Sequence, residues 1–213
     1  MPAQFPALYA ILDPGLISSP VIALAESLAG SGVKLMQLRD KRSSARQLFS
    51  EVQSLIRILS PRAIRLIVND RPDVAALSGS GGVHVGQDDL PVEETRKLCA
   101  APMWVGVSTH NIEQLRAADQ TSADYIAVGP IFPTGTKENP DPVVGVEFVR
   151  KARELTRKPL IAIGGITIQS AAEVYSAGAD SLAVIRDLIA APDPAARARE
   201  YLGVAEKSRV TRL

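Results

Sequence analysis

Apolar residues along this chain come in short unbroken runs, and each run is followed by a stretch in which they recur every three or four positions. The runs at 8–12, 34–38, 65–68, 82–85, 104–107, 125–128, 160–163 and 181–185 read as buried strands, with an exit from the sixth reaching 132. The stretches between them read as helices. Val21, Leu24, Ala25 and Leu28 share one helical face, and Leu48, Val52, Leu55, Ile56 and Leu59 make a longer stripe. A short helix is expected from Pro72, others over 91–99 and 111–119, one carrying Val149, Ala152 and Leu155, another over 168–177, and a last one after Pro194.

Strands that are apolar throughout, each followed by a helix, imply a parallel sheet covered on both faces. Eight such units imply an α/β fold of one kind, a single-domain (β/α)8 TIM barrel over residues 1–203. The polar, basic stretch 204–213 reads as a loosely held tail. An open doubly wound sheet is the alternative, but the regular eightfold pattern and the absence of a G-x-G-x-x-G turn weigh against it.

Composition narrows the partners. Hydrophobic residues make up 46% of the 213 and charged residues 22%, enough to bury a sizeable core. With 24 basic against 23 acidic side chains the formal charge is +1, which gives no footprint for nucleic acid or a membrane surface. Small-molecule substrates are the expected partners, and a homo-oligomer is left open. The single cysteine, Cys99, excludes an internal disulfide framework and fits the cytoplasm. No leader-like start and no run of spanning length is seen.

Barrel active sites lie at the C-terminal ends of the strands, so the residues just after each apolar run carry the candidate chemistry. After strand 2, alternation puts Gln37, Arg39 and Lys41 on one side; two cations there call for an anion or an internal partner such as Asp70. After strand 3 stands Asn69-Asp70-Arg71-Pro72, and after strand 4 Gly86-Gln87-Asp88-Asp89. Taken singly, Asp70 and Asp89 read first as caps for the helices near Pro72 and Pro91. Taken together across neighbouring strands, beside cations, they read as a Mg2+ site shared with substrate phosphates. Strand 5 leads into Ser108-Thr109-His110, where a hydroxyl is a ligand group or a cap, and His110 an acid–base or a packing residue; His84, inside strand 4, reads as structural.

The loop from Gly129 to Gly145 is long for a compact domain, and such loops are usually functional. Its Thr134-Gly135-Thr136-Lys137 can wrap a phosphate with hydroxyls, close backbone and charge, or make an ordinary solvated turn. Gly164-Gly165 precede a helix N-terminus, a favourable place for a second phosphate, and Ile185-Arg186 end strand 8, where Arg186 offers a bidentate contact or pairs with Asp187 or a loop. No activated nucleophile is visible, and no lysine stands inside a strand, so charge stabilisation is the expected means of catalysis.

Six motifs in order, Q-L-R-D-K (37–41), V-N-D (68–70), H-V-G-Q-D-D (84–89), G-V-S-T-H (106–110), G-P-I-F-P-T-G-T-K (129–137) and I-G-G-I (163–166), make the chain resemble the thiamine phosphate synthase family from about residue 8 to 189. The resemblance implies a transferase of thiamine biosynthesis. Its members join hydroxymethylpyrimidine diphosphate to a thiazole phosphate and release diphosphate through a carbocation. It implies Asp70 and Asp89 as Mg2+ ligands, Arg39, Lys41, Asn69 and Lys137 on the diphosphate, and Gln37 and Ser108 on the pyrimidine. Thr134, Thr136 and Gly165, with Ile185 and Arg186 at the end of strand 8, would face the thiazole phosphate. Arg39, Lys41, Lys137 and Ser108 are the residues expected to carry catalysis.

One departure stands out: many members have Ile-Ser where this chain has Ile185-Arg186. The nearest competing readings are a thiazole tautomerase of the same barrel, which would use His110, and a non-catalytic binder of the pathway. The T-G-T-K loop and Q-L-R-D-K favour the synthase, since a tautomerase has no use for a diphosphate site.

Overall fold

A computed structural model of the chain describes residues 5–17, 19–135 and 141–210, with side chains as far as 208. β1 (Leu8–Leu12) and α1 (Val21–Gly30) begin an alternation that continues as β2 (Leu35–Leu38), α2 (Ala45–Leu59), β3 (Arg65–Asn69), α3 (Pro72–Ser78), β4 (Gly82–Val85) and α4 (Val92–Leu98). The second half repeats it with β5 (Trp104–Thr109), α5 (Ile112–Asp119), β6 (Tyr125–Val128), α6 (Val146–Leu155), β7 (Leu160–Ile163), α7 (Ile168–Ser176) and β8 (Ser181–Val184), followed by α8 (Arg186–Ile189) and α9 (Pro194–Val210). Each strand pairs in parallel with the next, and β8 returns to β1 with Leu182 opposite Leu8, so the sheet closes into the expected (β/α)8 barrel.

Alternation along the strands sorts their side chains into two cores. Ala10, Met36, Leu38, Leu66, Val68 and their equivalents point outward and pack under the helices. Tyr9, Ile11, Leu35, Ile67, Tyr125, Ala127, Ile161 and Ala183 point inward. The N-terminal end is closed by Phe5 stacked on Trp104, ring centres 5.0 Å apart, with the Arg65 guanidinium 4.0 Å from the Trp104 ring.

Local signals start and stop the helices. The Ser44 hydroxyl caps α2 and Gln47 reaches back to the Ser44 N–H. Asn111 accepts the Gln114 N–H at 2.8 Å to start α5. Pro72 opens α3, and Gly79, with φ +70°, ends it.

Beyond shifts of a single residue at element ends, three features differ from expectation. β5 runs on to Thr109, which pairs with Val128 of β6. The one-turn α8 is too short to leave a periodic trace in the sequence. The C-terminal helix continues through 204 to Val210, so the tail expected from 204 is helical over its described part. Ala198, Tyr201 and Ala205 are buried where α9 packs against α7 and α1. That stripe is mostly alanine, and among many charges it gives little contrast.

Candidate active site

The C-terminal ends of the strands open into a cavity of about 760 Å³. Gln37, Arg39, Lys41, Asn69, Asp70, Asp89 and Ser108 all line it, as do Thr134, Gly165, Ile185 and Arg186. Thr136 and Lys137 lie outside the described residues. The described site residues, expected from seven separate stretches, therefore meet in one place.

The rim is built of charge. Arg39 does not pair with Asp70; its guanidinium donates to Asp13, just past β1, at 2.5 Å, and both groups are largely buried. Lys41 takes Asp70 instead, at 3.1 Å. Asp70 does not cap α3, whose N-cap is Arg71 without a side-chain bond. Its backbone has φ +59°, which is uncommon outside glycine but best tolerated by Asp and Asn. It is held there by its own N–H donating to the His84 carbonyl at 2.8 Å. Such backbone strain tends to collect at functional sites.

Asp89 does not cap α4 either, because Pro91 occupies that position. It accepts the Gly86 N–H at 2.7 Å and touches Asp70. Burial pushes its carboxyl above the usual carboxylate range; the Gly86 bond opposes this, and the neighbouring Asp70 adds to it. Two carboxylates forced together beside one lysine suit a hard cation. Among the described residues no cluster of three or more Asp, Glu, His or Cys is arranged to hold a metal alone. The donor set thus matches an ion that keeps water and takes phosphate oxygens, the habit of Mg2+.

The floor is built of side-chain hydrogen bonds. Gln37 donates to the Tyr9 hydroxyl at 2.7 Å, Tyr9 and Tyr125 share a bond of 3.0 Å, Tyr125 meets His84 Nδ1 at 3.1 Å, and His84 Nε2 meets the Ser108 hydroxyl at 2.8 Å. Tyr9 and Tyr125 are fully buried, which pushes both phenols well above their ordinary range and keeps them neutral. Gly106 makes room for this arrangement. A Cβ there would lie 2.0 Å from Tyr125 Cζ and 2.4 Å from its hydroxyl oxygen.

On the far side, Gly164 and Gly165, with φ +98° and +64°, lie against Pro130, Phe132 and Pro133. A Cβ at Gly165 would stand 2.5 Å from the Pro133 carbonyl oxygen. The glycine pair therefore serves close packing of two loops as well as access to backbone. At the start of α7, the Thr167 N–H is taken by Ser170 and the Ile168 N–H by Asp187. Asp187 does not pair with Arg186; it holds Arg197 at 2.9 Å and the Tyr201 hydroxyl at 2.8 Å. Arg186 reaches across the mouth and donates to the Gly135 carbonyl at 2.7 Å.

His110 donates from Nδ1 to the Gly129 carbonyl at 2.6 Å, and its Nε2 faces Asp141 at 3.4 Å. Thr109 is buried and donates to the Ala127 carbonyl, which leaves Ser108 as the hydroxyl of β5 that faces the cavity. Asp13, His84, Tyr9 and Tyr125 are the site residues that the sequence reading passed over or treated as structural. Asp13 was findable, since it directly follows an apolar run, and His84 stands in phase with the inward side of β4.

The chain is similar to known proteins over most of its length. The profile of a family described as thiamine monophosphate synthase matches residues 8–188. The chain is 48% identical over 206 residues to the thiamine-phosphate synthase of Koribacter versatilis, covering 94% of this chain and 96% of that one. It is 44% identical to the thiamine-phosphate synthase of Methanospirillum hungatei, over 90% and 91% of the two chains. Among solved structures, a thiamine phosphate pyrophosphorylase from Pyrococcus furiosus superposes with a TM-score of 0.86 at 29% identity, covering 95% of this chain and 96% of that one.

Proposed function

Because the chain belongs to the thiamine monophosphate synthase family, whose enzymes transfer a pyrimidinylmethyl group, we propose that it joins 4-amino-5-hydroxymethyl-2-methylpyrimidine diphosphate to 4-methyl-5-(2-phosphoethyl)thiazole, releasing diphosphate and forming thiamine phosphate. The observation that carries this reading is the rim: Asp70 and Asp89 in contact, with Lys41 paired to one of them and Arg39 nearby in the same cavity. Such a rim suits a departing diphosphate.

In this reading Asp70 and Asp89 hold Mg2+, which when bound neutralises charge on the leaving group. Lys41 exchanges its contact with Asp70 for a phosphate oxygen, and Arg39, steadied by Asp13, presents its remaining N–H groups. Asn69 and Lys137 complete the diphosphate site. Gln37 and Ser108 hold the pyrimidine on the floor. The C–O bond breaks first, and the ring-stabilised carbocation is then taken by the thiazole nitrogen. Thr134, Thr136, Gly165, Ile185 and Arg186 hold the thiazole phosphate close enough for that step. With no nucleophile required of the protein, positioning and charge stabilisation carry the rate. Among the described residues no helix is long and apolar enough to cross a membrane. A single cysteine fits a reducing compartment, and the cytoplasm is the compartment of this reading.

The tautomerase reading asks His110 to exchange protons with a thiazole. Its Nδ1–H is committed to the Gly129 carbonyl and its Nε2 faces Asp141, which weighs against that role. The test is diphosphate release from purified protein given both substrates, with and without Mg2+. Release that needs both substrates and the metal, with thiamine phosphate appearing in step, is the expected result. Tight binding of either substrate with no release would transfer the protein to the tautomerase or binder reading.

A further inference from the structure

Five polar side chains from five strands form one unbroken chain across the barrel: Gln37, Tyr9, Tyr125, His84 and Ser108. Gln37, Tyr9, His84 and Ser108 line the cavity, and Tyr125, between them, is fully buried. Each internal link carries one proton between two atoms. A hydroxyl gives one proton and accepts others, and a neutral imidazole gives from one nitrogen and accepts at the other. A chain of this kind is polarised in one direction or the other as a whole.

In the first direction the Gln37 amide donates to Tyr9, Tyr9 to Tyr125, Tyr125 to His84 Nδ1, and His84 Nε2–H to Ser108. The Ser108 proton and the Gln37 carbonyl then face the cavity. In the second, Ser108 donates to His84, every link reverses, and Gln37 must turn its carbonyl to Tyr9 and its NH2 to the cavity. With the Gln37 amide nitrogen placed on Tyr9, the first direction is the one taken forward, and the tautomer of His84 tests it. With Gln37 in that orientation, an imidazolium at His84 would place a donor against Tyr125 and leave the Tyr9 proton without an acceptor in the chain. Stacking of the His84 ring on Tyr125, 5.5 Å between centres and 21° between planes, keeps both in place.

We propose that His84, Tyr125 and Tyr9 are positioning residues that fix the direction of this chain, so that the cavity offers an acceptor at Gln37 and a donor at Ser108 to one flat heterocycle. The ligand that fits carries an amino group and an unprotonated ring nitrogen. Its oxo counterpart, with a carbonyl and a ring N–H in their place, meets like against like and is rejected, since a site built to bond one pattern leaves its own groups unpaired with the other. This deepens the function proposed above and rests on it for the identity of the heterocycle.

The chain has two histidines, so 15N NMR of histidine-labelled protein, assigned with His110→Gln, reads the His84 tautomer directly. The expected form is Nε2–H in the resting protein, becoming a mixture in Tyr125→Phe, which keeps the ring and removes the link. An Nδ1–H tautomer or an imidazolium in the unaltered protein would overturn the proposal. In steady-state kinetics Tyr125→Phe should lower kcat/KM for the pyrimidine diphosphate about tenfold, the effect of one well-placed hydrogen bond, with KM for the thiazole phosphate unchanged. It should also narrow the preference for the amino over the oxo ring. Unchanged kcat/KM and unchanged preference, or an equal loss for both substrates, would reduce these residues to packing. If Tyr125→Phe does not fold, Tyr9→Phe breaks the same chain one link away and is judged by the same outcomes. The NMR arm needs no turnover. The expected tautomer in a protein that makes no thiamine phosphate would sink the proposed function and leave the relay standing.

Discussion

The floor and the rim of the cavity are both polar, yet they are satisfied in opposite ways. On the floor each buried group has a side-chain partner within the protein, and the Gly106 vacancy shows how closely the arrangement is packed. On the rim the partners are charges of this chain standing where ligand charges would go, Lys41 on Asp70 and Asp89 against Asp70. A floor of this type discriminates by shape and by the direction of hydrogen bonds, and it cannot relax without losing its partners. A rim of this type discriminates by charge, and it is meant to be rearranged. The Asp13–Arg39 pair stands between the two: it is more buried than the Lys41–Asp70 pair, less so than the floor tyrosines, and as charged as the rim.

The contrast is broken most severely at Asp70. Asp70→Asn keeps a residue that accepts positive φ and removes the charge. Turnover measured at saturating Mg2+ should fall about a thousandfold, the several kcal/mol that metal-assisted charge stabilisation supplies, with the thermal midpoint little changed. Activity near that of the unaltered protein would end the metal assignment. The floor should answer in stability instead. Gly106→Ala drives a methyl group into the Tyr125 ring, and overpacking of this kind costs about 3 kcal/mol, read by chemical denaturation. A loss under about 1 kcal/mol would mean that Tyr125 moves aside freely and the floor is not rigid.

Arg186 sharpens the comparison at the rim. If its guanidinium serves the thiazole phosphate, Arg186→Ser should raise KM for that substrate about tenfold, as for one charge-assisted bond, without changing KM for the pyrimidine diphosphate. A lowered KM would mean instead that the arginine, clasped to Gly135, fills the pocket.

The smallest effect expected is at Asp89. Its carboxyl is raised in the folded chain by burial and by Asp70, so the folded state holds the proton more tightly than the unfolded one. Stability from that proton is full below the ordinary carboxylate range and is lost as pH rises through the raised value. At neutral pH the ionised group is a net cost, discounted by solvent because the site is open. Asp89→Asn should therefore raise the melting point by about 1–2 °C at pH 7 and by less at pH 4, while abolishing the Mg2+ response. A lower melting point at pH 7 would show that the carboxylate is better compensated than its surroundings suggest. By the same sign, apparent Mg2+ affinity should weaken as acid protonates Asp89.

Much of this was legible along the chain. Eight apolar runs with helical stretches between them specify a barrel because each strand must be covered on both faces, and the rule that chemistry stands at strand ends collects Gln37, Arg39, Lys41, Asp70, Asp89 and Ser108 without coordinates. Partner choice was not legible. Arg39 and Asp70 looked suited to each other, and capping looked suited to both aspartates, but Asp13 on the neighbouring strand is nearer to Arg39, and the chain turns at Asp70 through a positive φ that carries it away from α3. The far end of α9, past 203, hid in the same way, since an alanine stripe means little until α7 and α1 are present to bury it.

The sequence by itself determined the elements, their order and the set of charged and hydroxyl groups at the barrel mouth, because periodicity and strand alternation are local properties of the chain. Only the tertiary structure decided which of those groups touch, and that His84, Tyr9 and Tyr125 are links in one chain and not separate core residues. Closing the barrel fixes the stagger between strands, and that stagger brings side chains from β1, β2, β4, β5 and β6 to one level. No spacing along the sequence encodes such a meeting, because the residues that meet are separated by up to 116 positions and are brought together only when the last strand pairs with the first.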